Sequence, residues 1–500
     1  MHPIDDFDPE QGLPSHAPAL VQDLDLGALL DAMAGEDEAL YAVARRALLC
    51  GVADPGVILY RQSVLADCLG HPAAVREMYA IAAAGTTGHR RIFGYTPTAV
   101  LDASVRTLTT LLPLLRGLRE IAERSQEGFR SPGFVRLFAT LREELDEGYL
   151  QGLDAHLRSL RFPQGVLLSA RLGPGNGGTD YTVRLPRPQG WRDRLALWGG
   201  AGHTLRVNLR DDDAAASLAR IRGRAVNAVA NALAQSADNV LGFFGTLRTE
   251  LGFYTACLNL HDRLSGRGKP VCFPVPVASG EAGLSASGLY DPCLALRSTR
   301  QVVGNDIAGQ GKRLVMITGA NGGGKSTFLR SVGLAQLMMQ CGMFVAAESL
   351  QAGVSDGVFT HFRREEDAGM EEGKLGEELS RMSEIVDDIA PGCLLLCNES
   401  VASTNEREGS EIARQIVRAL TDAGIRVFYV THLFDLAQSL YSQGAPDALF
   451  LRAERGRDGS RPYLLCEAAP LPTGFGDDLY RQVFGPAGDA GPVPRTGPGP

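Results

Sequence analysis

Residues Leu314–Leu329 read LVMITGANGGGKSTFL, and this stretch decides the fold. Leu314, Val315, Met316 and Ile317 form a short apolar run of the kind a buried strand needs. Gly319 opens a turn, and Gly319, Gly324, Lys325 and Ser326 complete the spacing G-x-x-x-x-G-K-S before an apolar-periodic helix. The spacing follows from chemistry. Backbone N–H groups unobstructed by Cβ at Gly322, Gly323 and Gly324 can wrap a phosphate at a helix N-terminus, where the dipole is positive. Lys325 then reaches the β- and γ-phosphates, and the Ser326 hydroxyl ligates Mg²⁺. The chain has only four lysines (Lys269, Lys312, Lys325, Lys374), and one stands where the motif requires it. The stretch predicts binding of a nucleoside triphosphate.

Outward from the loop, 500 residues allow two to four domains, and 44% hydrophobic with 21% charged residues is a globular composition. Nine cysteines are scattered without a C-x-x-C, so a reducing cytoplasm is the expected setting. Cys393 and Cys397, the closest pair, fall in an apolar strand and read as packing residues. The acidic N-terminus lacks a signal-peptide pattern, and no run of 18 uncharged apolar residues points to a membrane. The net charge of −9 comes from one place. Residues 1–40 hold ten carboxylates and no Lys or Arg, leaving 49 basic against 48 acidic side chains elsewhere. Residues 1–38 therefore read as an acidic, part-disordered segment, and net charge does not exclude nucleic acid.

Residues 39–264 are mostly helical in pattern. Leu101, Val105, Leu108, Leu112, Leu115 and Leu118 form one amphipathic stripe, with Pro113 as an expected kink. Gly85–Gly94 reads as a loop, and Phe134 to Leu157 as one further helix. The rhythm breaks at 163–210. There Val166–Leu168, Tyr181–Val183 and Leu205–Val207 suggest short strands joined by a flexible Gly173–Gly178 loop. This block carries Trp191 and Trp198, and Arg171, Arg184, Arg187, Arg192, Arg194, Arg206 and Arg210 against Asp180 and Asp193. Two readings stand: a basic β tip touching a phosphate backbone, or a solvated small sheet. Helix resumes from Ala214 to Leu264, and the linker Ser265–Pro276 opens an alternating β/α region at 268–485. Residues 486–500 read as a disordered tail.

A second apolar strand, Leu394–Cys397, ends in Asn398–Glu399. In phosphate-loop ATPases such a strand delivers an acidic residue to the Mg²⁺ shell, and a following Glu polarises the attacking water. Glu399 suits the second role. Asn398 keeps an acceptor oxygen without the charge, so Mg²⁺ should be held less firmly. A third strand, Val427–Val430, ends in Thr431–His432, where His432 suits a γ-phosphate sensor.

The stretch ITGANGGGKSTFLRSVGLAQLMMQCGMFVAA resembles the MutS mismatch-repair ATPases, whose loop reads G-P-N-M-G-G-K-S-T. Asn321, Gly323, Gly324, Lys325, Ser326, Thr327 and Arg330 match; Ala320 and Gly322 replace Pro and Met. Gly304–Ile307 is similar to the family's P-N-D-I, which implies that Asn305 lies beside the adenine. Tyr290–Pro292 resembles its H-P element, Asp356–Phe362 its I-F-T-R stretch, Thr431–Leu433 its T-H-Y, and Thr473–Gly476 its dimer-forming S-Y-G. The resemblance implies an α/β P-loop ATPase domain of the ABC/MutS type, preceded by an α-helical core and lever domain with a small β insertion. It further implies ATP and Mg²⁺, a homodimer with composite sites, contact with DNA and no membrane.

The departures are specific. The family's D-E is Asn398–Glu399, and its G-R-G-T-S is Val401–Asn405. The S-T-F-M signature has only Gly373–Gly376, before Glu377–Glu378, as its nearest counterpart. No mismatch-reading domain with an F-x-E wedge is expected before the core, and no nuclease module after it. The sequence thus suggests a short MutS-like ATPase coupled to DNA, in mismatch repair or related maintenance. The alternative is an ATP-dependent scaffold with little hydrolysis. A transporter or chromosome-structuring ATPase is disfavoured by the absence of L-S-G-G-Q.

Overall fold

The computed structural model describes residues 7, 12–87, 96–163, 165–184, 211–278, 283–364, 373–456 and 460–471. They divide into two compact units, one of residues 71–251 and the other of 5–70 with 252–500.

The second unit begins with four helices: α1 (Ala17–Asp23), α2 (Leu26–Ala34), α3 (Glu38–Leu49) and α4 (Pro55–Gly70). Two of these helices, α1 and α2, lie within the acidic segment 1–38. Leu20, Leu24, Leu29, Leu30 and Met33 are fully buried or nearly so. Of its described carboxylates, Asp31, Glu36 and Glu38 are exposed, Asp37 caps by accepting from the backbone N–H groups of Ala39 and Leu40, and Asp23 is buried. By their contacts residues 39–70 group with this second unit. Arg61 donates to the Cys341 carbonyl at 3.2 Å, and Gln62 to that of Pro274 at 3.0 Å. The apolar stripes mark the helices, but their spacing does not say which neighbour covers them.

The first unit holds α5 (Pro72–Thr86), α6 (Pro97–Ser125), α7 (Pro132–Glu144), α8 (Glu147–Ser159), and the antiparallel strands β1 (Leu167–Leu172) and β2 (Gly178–Arg184). Helix α6 is long and apolar enough by composition to cross a bilayer. Its stripe from Leu101 to Ile121 is instead buried within the unit. Its helical assignment continues through Pro113. The loop expected from Gly85 starts later, because Gly85 is helical; a Cβ there would lie 2.4 Å from the Phe244 ring. The single helix expected from Phe134 to Leu157 is two, since Asp146 caps α8 by accepting from the Tyr149 N–H at 2.8 Å. Between β1 and β2 the expected loop contains a short 3₁₀ turn, Pro174–Asn176. Leu205–Val207, Trp191, Trp198 and the arginines at 187, 192, 194, 206 and 210 lie outside the described residues. Helix α9 (Asp212–Ser265) runs 54 residues, matching the long helix read from the sequence, and its residues from Gly252 on belong to the second unit.

The rest of the second unit alternates in chain order: β3 (Val275–Val277), β4 (Leu284–Leu289), α10 (Pro292–Arg297), β5 (Asn305–Ala308), β6 (Leu314–Gly319), α11 (Lys325–Gln340), β7 (Ser349–Gly353), β8 (Val358–Phe362). There follow α12 (Lys374–Asp388), β9 (Leu394–Asn398), α13 (Glu406–Asp422), β10 (Arg426–Val430), α14 (Phe434–Ser442), β11 (Ala448–Ala453) and β12 (Leu465–Glu467). One sheet has the order β12-β11-β6-β10-β9-β8, parallel except for β12. The other, β3-β7-β4-β5, is mixed. Strand β6 lies between β11 and β10, covered on both faces, which is why Leu314–Ile317 is uninterrupted apolar sequence. Helix α11 is buried almost all round. Its inward amides donate to backbone, Gln336 to the Gly353 carbonyl at 3.0 Å and Gln340 to that of Ser355 at 2.7 Å.

Candidate nucleotide site

Strands β6, β9 and β10 are adjacent in register, so their C-terminal ends place the phosphate loop, Asn398–Glu399 and Thr431–His432 side by side. Binding at the carboxyl ends of parallel strands is what this sheet type provides. A cavity of about 570 Å³ lies there. Asn305, Asn321, Gly322, Gly323, Gly324, Lys325, Ser326, Thr327 and Glu399 line it. Gly324 has φ +92°, a left-handed conformation that a side chain would oppose, and it opens α11 with no side chain capping the first turn. Lys325 Nζ donates to the carbonyls of Gly319 at 2.8 Å and Ala320 at 3.1 Å. Ala320 is buried and does not line the cavity, so only its carbonyl serves the loop.

The Ser326 hydroxyl donates to Asn398 Oδ1 at 2.8 Å, joining the loop to β9. Glu399 follows with φ +53° and its N–H bonded to the Val430 carbonyl at 2.9 Å. Its carboxylate lies between the His432 ring, with Nδ1 3.9 Å from Oε1, and the Arg363 guanidinium, with Nη1 3.7 Å from Oε2. His432, then Lys325 and Arg363, hold the carboxyl below its ordinary pKa against the opposing effect of burial. Burial lowers the Lys325 pKa, Arg461 adds to this, and Glu399 opposes it. His432 does not reach the first cavity. It lines a second, of about 480 Å³, with Gly319, Arg363, Glu406 and Phe434; Asn321 and Glu399 border both.

Asn305 is engaged by chain far away in sequence. Its Nδ2 donates to the Tyr463 carbonyl at 3.1 Å, and its Oδ1 accepts from the Leu465 N–H at 2.8 Å. The bonds set Tyr463 at the cavity wall, half exposed and close to Gly324. Sequence reasoning missed Tyr463, Arg461 and Arg363. Arg363 follows directly on the stretch Val358–Phe362 and was within reach of the motif reading; Tyr463 belongs to no motif. Asp291 caps α10, is fully buried, and pairs with Arg330 Nη2 at 2.8 Å, fixing α10 against α11. Among the described residues of the signature region, Gly373 precedes α12. Glu365, Glu366, Asp367, Glu371 and Glu372 lie outside them, as do Thr473–Gly476, Tyr480 and Phe484.

Fold and loop define a phosphate-loop α/β protein with a helical unit attached. Residues 53–267 match the MutS2 N-terminal domain, and residues 315–458 match MutS domain V. The chain is 33% identical over 139 residues to the DNA mismatch repair protein MutS of Chloroflexus aurantiacus, covering 27% of this chain and 14% of that protein. It is 36% identical over 143 residues to MutS of Thermotoga maritima, covering 28% and 18%. With the endonuclease MutS2 of an Anaeromyxobacter species it shares 30% over 193 residues, covering 37% and 23%. Each match thus spans less than a quarter of the relative's length. The chain belongs to the MutS family.

Proposed function

We propose that this chain binds ATP with Mg²⁺ in the cavity above α11, hydrolyses it, and couples the cycle to DNA binding as a homodimer. The observation that carries the reading is the Ser326–Asn398 bond at 2.8 Å with Glu399 next along the chain. One oxygen from the loop and one from β9 meet there beside an ionised carboxylate, and the pair would hold a divalent cation. The residues fit the ligand. The first turn of α11 has no side-chain cap, Gly324 leaves room for phosphate, and Lys325 rests on carbonyls it would exchange for phosphate oxygens.

Mg²⁺ held by Ser326 and Asn398 would neutralise charge on the phosphates. Glu399, ionised at neutral pH, accepts the proton of the attacking water. His432 senses the γ-phosphate from the second cavity. Tyr463 and Asn305 form the wall on the nucleoside side. DNA binding is supported by the relatives named for DNA mismatch repair and by Arg171 and Arg184 on the β1–β2 hairpin. The nine free cysteines suit a cytoplasmic setting.

Two variants test the site. Lys325→Ala is expected to abolish ATP binding, measured by equilibrium titration, because no neighbouring side chain replaces its point charge. Glu399→Gln is expected to leave ATP bound while turnover falls by about 10² or more. Unchanged affinity in the first, or parent-like turnover in the second, would overturn the assignment of that residue.

A further inference from the structure

We infer that His361, acting through Ser400, is a positioning residue that aims Glu399 into the nucleotide cavity. The inference rests on Glu399 being the base that activates water. The turn carrying Glu399 is strained: Glu399 has φ +53° and Val401 φ +60°, and left-handed backbone is rare for a β-branched residue. Such a turn persists only if its surroundings hold it.

Ser400, between the two strained residues, is buried and held from three directions. Its hydroxyl lies 2.7 Å from His361 Nδ1 and 2.8 Å from the His361 carbonyl oxygen. The Tyr429 hydroxyl donates to the Ser400 carbonyl at 2.6 Å. His361 is itself completely buried on β8, in register with Cys397 of β9. Its Nε2 lies 3.0 Å from the Glu378 carbonyl oxygen on α12.

Burial, reinforced by Arg381 and Arg364, lowers the pKa of the ring to about 4, so it is neutral at physiological pH. A neutral ring has one N–H. The Glu378 carbonyl only accepts, which assigns that hydrogen to Nε2, and the single Ser400 O–H is then shared between Nδ1 and the His361 carbonyl. The ring thus ties α12 on one side to the turn of Glu399 on the other. Removing it leaves the strained turn free to relax, and a carboxylate displaced by about 1 Å loses on the order of 10² in rate.

The test compares turnover, ATP affinity and thermal midpoint for the full chain and for His361→Ala, His361→Asn, His361→Gln, Glu399→Gln and the double variant His361→Ala/Glu399→Gln. His361→Ala is expected to lower kcat by about 10²-fold with ATP affinity unchanged. His361→Asn, whose amide stands where Nδ1 stood, is expected to restore more turnover than His361→Gln, whose amide stands nearer Nε2. In the Glu399→Gln background, His361→Ala is expected to cost nothing further, because there is no carboxylate left to aim. Parent-like turnover in His361→Ala, or an equal loss in both backgrounds, overturns the inference. If His361→Ala fails to fold, the order of Asn and Gln decides, and equal rescue by both overturns it. Parent-like turnover in Glu399→Gln instead overturns the base assignment beneath it, whatever the His361 variants do.

Discussion

Asn398 and Glu399 divide between them what one carboxylate pair does in the family pattern. In the proposed site Asn398 would offer the cation an oxygen ligand without a charge, and Ser326 bonds it at 2.8 Å. Asn398→Asp changes one charge and almost no volume, so the fold is expected to survive and the Mg²⁺ requirement of turnover to fall. Titrating Mg²⁺ against turnover checks this, and an unchanged requirement would remove Asn398 from the cation shell. His361 makes a second prediction at this scale. Its folded pKa of about 4 lies below the ordinary value of 6.5, so the unfolded chain takes up the proton first as pH falls. The stability from the neutral ring is intact above pH 6.5 and is lost as pH drops toward 4, by about 3 kcal/mol for this group. Thermal unfolding at pH 7 and pH 5, compared between parent and His361→Asn, should show a smaller pH effect in the variant.

Among elements, the pairing of α10 with α11 matters most to the site, because α11 carries the phosphate loop at its start. Asp291 holds it twice, capping α10 through the Leu294 N–H at 3.1 Å and pairing with Arg330 at 2.8 Å. Its side chain is fully buried, so removing it strands a partly buried guanidinium as well as a helix end. Asp291→Ala is expected to cost about 3 kcal/mol by denaturant titration and to weaken ATP binding through the displaced loop. A loss well below 1 kcal/mol would mean that α10 is held by its apolar contacts alone. The N-terminal helices make the same point from the other side. Leu20, Leu24, Leu29 and Leu30 are buried in the second unit, and His16 stacks on Phe359 of β8 at 4.1 Å. Acidic composition does not preclude such helices, because carboxylates such as Asp31 and Glu38 sit at the surface while the leucines are inside.

For the molecule as a whole, the β1–β2 hairpin and the 54-residue α9 belong to the DNA-binding part of the proposal. Arg184 donates to Ser169 across the hairpin at 3.0 Å, leaving its other guanidinium nitrogens able to meet phosphate. Replacing Arg184, Arg187, Arg192 and Arg194 together by Ala is expected to weaken DNA binding alike for every sequence. The slope of log affinity against log salt should fall by roughly one unit for each phosphate that is no longer neutralised. ATP affinity should be unchanged, because none of the described residues lining the nucleotide cavity comes from the hairpin. Reduced thermal stability with an unchanged salt slope would assign the arginines a structural role. Absence of any salt-dependent DNA binding by the parent would end the DNA part of the proposal.

By itself the sequence determined whatever depends on neighbours within about a dozen residues. The phosphate loop was legible because strand, glycines, Lys325 and Ser326 are contiguous, and their backbone geometry is a local property. Asn398–Glu399 and His432 were legible because a buried parallel strand is an unbroken apolar run and its end is conspicuous. Helix α9 was legible because its periodicity continues without a proline. Tertiary structure alone decided the rest. It brought Tyr463 to Asn305 across 158 residues and Arg363 to Glu399, and it tied His361 to Ser400 across 39. It also took the helices before Gly70 away from the helical unit and set them with the α/β unit. The reason is the same each time: hydrophobic burial fixes which face of an element turns inward, but it is non-directional and does not name the partner. That choice rests on shape and on the pairing of buried polar groups, which exist only once the chain has folded.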